Sequence, residues 1–180
     1  GIAQVITDGY LVTFTHPAFE ALGKGKLWSI PAPVIVMFLV AALVYIAVRC
    51  MTFGRYVEAV GDNEQASNLV GINVKKIKVA VYVLSAVFAS LAGMIETARL
   101  AAADATRIGE LIEMDAIAAV VVGGTLMSGG RPRIWGTVLG AILMGLITAT
   151  FNMNNIPYSY SLVIKAVIIV AAIYFQRENK

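Results

Sequence analysis

Four apolar runs, 33–48, 79–95, 134–151 and 162–175, constrain this chain more than any other feature. Between them they hold one charged side chain, Lys165. In hydrocarbon the N–H and C=O groups of such a run must bond to one another, which a helix achieves alone. The composition agrees: 59% of the 180 residues are hydrophobic and the mean hydropathy is +0.80, far from a soluble domain. The reading is an all-α, polytopic helical membrane protein. Membrane-embedded segments are expected near 31–48, 77–97, 113–127, 134–151 and 160–176, four of them full transmembrane helices and the third shorter than a span.

Charge gives the direction. Arg49, Arg55, Lys75, Lys76, Lys78, Arg131, Arg133, Arg177 and Lys180 fall on one side of that arrangement, and Lys24, Lys26, Arg99 and Arg107 on the other. The richer side belongs in the cytoplasm. The C-terminus is then cytoplasmic, and 1–29, with turn formers and no span-length run, is an extracytoplasmic segment lying on the bilayer. His16 within it reads as a surface residue. The net charge of +3 gathers at segment ends and forms no continuous stripe for nucleic acid. A single cysteine, Cys50, excludes an internal disulfide and by itself makes no metal site. No cofactor is expected. The opening at Gly1, without start-like features, reads as the C-terminal part of a longer protein.

The polar stretch 52–78, within a cytoplasmic loop 49–78, lies between two of the most apolar runs. Within it, 63–70 predicts a short helix. Asn63 can accept from the first free N–H groups, Glu64 suits the positive end of the helix dipole, and Gly71 stops the helix. A small capped helix held in water by two spans is built to touch something.

The stretch from Ala116 to Met127 spans only about half a membrane thickness, at roughly 1.5 Å per helical residue, and it runs into Gly123-Gly124 and Gly129-Gly130. Short apolar helices broken by glycines are where membrane proteins place irregular backbone, against a cavity or other helices. Gly124 to Arg131 has glycines at the spacing of a phosphate loop. It lacks the Lys-Ser/Thr pair and a preceding strand, so a glycine-rich re-entrant turn is the better reading. Asp115 opens this helix as a cap or as a pathway group. Glu96 and Lys165 are ionisable groups near the outer ends of apolar helices, where snorkelling tolerates them or a polar path uses them. Glu96 can also pair with Arg99 at i, i+3. Ser85, Ala89 and Gly93, and Gly136-x-x-x-Gly140, are small-residue faces suited to close helix packing.

The strings GRYVEAVGDNEQASNLVGINVKKIK, ETARLAAA, EMDAIAAVVVGGTLMSGG and IWGTVLGAILMG, in this order over nearly the whole chain, resemble the permease subunit of bacterial ribose/xylose-type sugar ABC importers. The wider family also holds branched-chain amino acid permeases. The resemblance implies that 1–180 is the C-terminal part of one transmembrane domain that works as a pair in the inner membrane. Such a subunit receives sugar from a periplasmic binding protein and docks a separate cytoplasmic ABC ATPase. It also implies that the coupling helix is formed by Asn63, Glu64, Gln65, Ala66, Leu69 and Gly71. Two departures stand out. Gln65 replaces the usual middle alanine, with Gly71 one residue late, and 105–115 differs from the glycine-bearing stretch common in the family.

Competing classes fare worse. An ion-coupled carrier or channel needs ionisable groups at mid-membrane, and a membrane enzyme needs an acid–base or metal set that is missing here. A polyol or a branched-chain amino acid remains open beside a pentose or hexose as the transported molecule.

Overall fold

The computed structural model describes residues 5, 7–8, 10–13, 16–27, 29–104, 108–109, 111–126 and 129–178. Eight helices dominate them: α1 Pro17–Lys24, α2 Ala32–Arg49, α3 Thr52–Asp62, α4 Glu64–Leu69, α5 Val74–Leu100, α6 Ile112–Val122, α7 Ile134–Met153 and α8 Tyr158–Glu178. Two-residue strands pair antiparallel as β1 Val12–Thr13 with β4 Ala102–Ala103, and β2 Lys26–Leu27 with β3 Ile30–Pro31. The chain is an all-α polytopic membrane protein. Three helices, α2, α5 and α7, are long and apolar enough to cross a bilayer. The fourth span expected at 160–176 lies within α8, whose Ser159–Tyr174 is apolar. The helix itself runs over 21 residues, Tyr158–Glu178.

The contacts divide the chain into two compact units. The first takes 1–43 and 78–110. There Gly23 of α1 lies on the backbone of Ala98 and Arg99, where a Cβ would overlap α5, and Ala98 is fully buried. His16 is exposed and its carbonyl starts α1, accepting from the N–H groups of Phe19 and Glu20. Along α5, Ser85, Ala89 and Gly93 are exposed, and nothing among the described residues approaches Gly93. Residues 105–107, part of the divergent outer stretch, lie outside the described residues, as do Met127 and Ser128 of the glycine block.

The second unit takes 44–77 and 111–180. Its centre is Ala118 and Ala119 of α6 against Met144 of α7, with Ile168 and Ile169 of α8 packed on them. Small residues let the backbones meet: a Cβ at Gly136 would overlap the carbonyl of Gly123, and one at Gly140 that of Ala119. The expected close-packing face of α7 is therefore real, and its partner is α6. Hydroxyls within α7 return to their own helix, Thr148 to the carbonyl of Met144 at 3.0 Å and Thr150 to that of Leu146 at 2.8 Å. Such bonds satisfy these two hydroxyls within the helix.

Candidate functional site

The polar stretch between α2 and α5 contains more structure than the one short helix read from it. Thr52–Asp62 is also helical. The missed signal was periodicity: Phe53, Tyr56, Val57 and Val60 recur at helical spacing. Buried Gly54 sits against the carbonyl of Val48, so α3 folds tightly back on the end of α2.

The short helix α4 forms as its sequence predicts. Asn63 is extended, and its Oδ1 accepts from the N–H of Ala66 at 2.9 Å. At the other end Gly71 takes φ +85°, its N–H bonds to the carbonyl of Asn68 at 3.1 Å, and that of Ile72 to Ser67 at 3.0 Å. This is a Schellman closure, and only the glycine adopts its left-handed residue without strain. Asn73 then caps α5, accepting from the N–H of Lys76 at 3.1 Å. Ser67 is buried against the unit, whereas Glu64, Gln65 and Ala66 face outward. Leu69 is 89% exposed and Val70 77%. A cavity of ≈ 1000 Å³ lies beside the helix, lined largely by its polar residues and those of the turn to α5.

The end of α3 rests on the glycine block. A Cβ on Gly129 would overlap the carbonyl of Gly61, and one on Gly61 would come within 3.1 Å of the amide nitrogen of Gly130. The Asp62 carboxylate covers Gly130, and Glu58 lies 4.0 Å from Arg131. Gly124, Gly129 and Gly130 have φ of +83°, +96° and +98°, as irregular backbone demands. Gly123 differs. It is right-handed at φ −68°, and its lack of a side chain serves the contact with Gly136. Gly124 closes α6 by a second Schellman pattern, with its N–H bonded to Val121 and that of Thr125 to Val120. Thr125 Oγ1 in turn accepts from the N–H of Arg133 at 3.1 Å, which clips the turn shut. The structure thus joins α4, through α3, to the turn between α6 and α7. Gly61 and Asp62 were not singled out from the sequence, because only the fold brings them there.

Asp115 lies in the first turn of α6, where a carboxylate was expected, although α6 has no side-chain cap hydrogen bond at its N-cap, Leu111. Lys165 needs a correction: it does not snorkel but is 3% exposed. Lys165 Nζ donates to both carboxylate oxygens of Asp115 at 2.7 Å, tying α8 to the first turn of α6. One turn before it, the Ser161 hydroxyl is buried without a partner. Glu96 belongs to the other unit and pairs with Arg99 at 3.9 Å, as its spacing predicts. Among the described residues no group of three or more His, Cys, Asp or Glu could hold a metal.

Comparison with known proteins agrees with this architecture. A family model described as branched-chain amino acid transport system / permease component matches residues 2–173. Ribose import permease proteins RbsC of Haemophilus influenzae and Escherichia coli K12 are each 42% identical to this chain, covering 96% and 100% of it. The galactofuranose transporter permease protein YtfT of Escherichia coli K12 is 36% identical over 99% of it. The chain spans about half the length of these curated relatives, 54%, 57% and 52% respectively. No solved structure matches. With nearly all of its residues matched in order, the chain belongs to the branched-chain amino acid transport system / permease component family.

Proposed function

We propose that this chain is part of the membrane-spanning permease subunit of an ATP-driven (ABC) importer that carries a monosaccharide, a pentose or a hexose, across the bacterial inner membrane. It performs no covalent chemistry itself. A periplasmic binding protein delivers the sugar, a second permease copy completes the pathway, and a separate cytoplasmic ATPase supplies the energy. Relatives named for ribose and galactofuranose support a sugar as cargo.

One observation carries the mechanism: the backbone contact of Gly61 with Gly129 and Gly130. In this reading Asn63, Glu64, Gln65, Ala66, Leu69 and Gly71 make α4 the helix on which the ATPase pushes. Its exposed Leu69 and Val70 supply the apolar contact such docking needs. A push on α4 moves α3, α3 moves the glycine turn, and the turn carries α6 and α7 with it. Asp115 and Lys165 then hold α8 to α6 while Gly123, Gly124, Gly129 and Gly130 let the turn keep its shape.

The test is Ala66→Arg. A long cation at this small, outward position blocks close approach and leaves an unpaired charge at the contact. The variant is expected to insert normally, yet to lose co-purification with its ATPase and sugar uptake together. A variant that inserts, keeps its ATPase and still transports would falsify the coupling role, because exposed substitutions away from contacts change stability by only about 0.5 kcal/mol.

A further inference from the structure

The unit that holds α6–α8 contains a second concave site, which the coupling argument does not use. Arg49 ends α2 and Arg133 immediately precedes α7. With Tyr45, Pro132, Ile134 and Trp135 they line a cavity of ≈ 260 Å³. The Tyr45 and Trp135 rings lie 6.1 Å apart and tilted by 48°. Trp135 is 55% exposed. Arg131 has Glu58 beside it and Arg99 has Glu96, but among the described residues no carboxylate lies within ion-pair distance of Arg49 or Arg133.

Depth decides what fits. Two span-length apolar helices meet this cavity at one end each, so it straddles the membrane–water boundary. The guanidiniums belong on the water side and the aromatic rings at headgroup level. Arginine forks suit phosphate oxygens, and basic pockets between spans hold anionic headgroups. A soluble anion would use the arginines and leave the exposed indole without purpose. A phospholipid uses both, with acyl chains continuing along the apolar face of α7. We propose that Arg49, Arg133, Tyr45 and Trp135 form a site for an anionic phospholipid, its phosphodiester between the two arginines and its glycerol region against the rings. Arg133 also lies over Gly124, its Nη1 3.4 Å from where a Cβ there would stand. An occupied site therefore borders the glycine turn.

The experiment is native mass spectrometry of the protein purified in detergent, titrated with phosphatidylglycerol, phosphatidylcholine or inorganic phosphate. The wild type is expected to retain phosphatidylglycerol in preference to phosphatidylcholine, with millimolar phosphate failing to displace it. Arg49→Gln with Arg133→Gln should weaken that binding by about 25-fold, roughly five-fold for each basic residue lost. Arg55→Gln, an exposed arginine outside the cavity, should leave it unchanged. Unaltered binding by the double variant overturns the proposal, and so does displacement of the lipid by phosphate. If the glutamine pair yields no folded protein, Arg49→Lys with Arg133→Lys keeps both charges. A preference of that variant for the anionic lipid supports the site, and equal binding of the two lipids overturns it.

Discussion

An ammonium group 3% exposed in an apolar helix is tolerable only with a counter-charge at hand, and Lys165 has both oxygens of Asp115 at 2.7 Å. Removing either partner takes away the two short charge-assisted hydrogen bonds between α8 and α6. Asp115→Asn and Lys165→Met are each expected to lower the thermal unfolding temperature in detergent, and the double substitution should recover much of the loss. Simply additive losses would show that the two charges do not interact. The glycines meet a different constraint. A Cβ at Gly124 would meet only the Arg133 side chain, at ordinary contact distance, but its φ of +83° is a poor conformation for any β-branched residue. Gly124→Val is therefore expected to abolish uptake while the protein still inserts, and wild-type uptake would mean that the turn tolerates another shape. Gly129 adds a clash to the same strain, since its Cβ would overlap the Gly61 carbonyl. Gly129→Ala should uncouple ATP hydrolysis from uptake with the ATPase still bound, and coupled turnover by this variant would speak against the contact.

At the scale of elements, α4 is six residues long and owes its existence to its two ends. Helices this short are marginal without tertiary support. Asn63→Ala removes the bond to Ala66, worth about 1 kcal/mol. Amide exchange across 64–69 should then accelerate roughly five-fold or more while α5 stays protected. Unchanged exchange would place the stability of α4 in its buried Ser67 side instead. Local chemistry of this kind is what a sequence displays, and the cap, the Schellman glycine and the short α6 could all be read from it. The Asp115–Lys165 pair could not, because the partners are fifty residues apart. Each alone looks like an ordinary cap or a snorkelling chain, and only the packing of α8 on α6 selects between those fates. α3 was missed for another reason. Its polar composition masked a four-residue apolar stripe that periodicity would have revealed.

Across the whole molecule, we propose from the basic excess at one set of helix ends that this side faces the cytoplasm, and Cys50 offers a direct probe. It is exposed and lies at the end of α2. An impermeant maleimide should leave it unlabelled in intact cells and label it in inverted membrane vesicles. Labelling in intact cells would reverse the orientation. The manner in which α3, the glycine turn, α6 and α7 touch has a consequence for timing and fidelity. Side chains that meet across an interface can hop between rotamers and swallow a small displacement. Here carbonyl meets glycine at Gly61–Gly129, Gly123–Gly136 and Ala119–Gly140, and no rotamer exists to give way. These three contacts offer no side chain to take up a displacement. If the chain works as proposed, a shift delivered to α3 meets only backbone contacts on its way to α7, and each stroke of the ATPase is expected to produce one definite movement and not a graded leak.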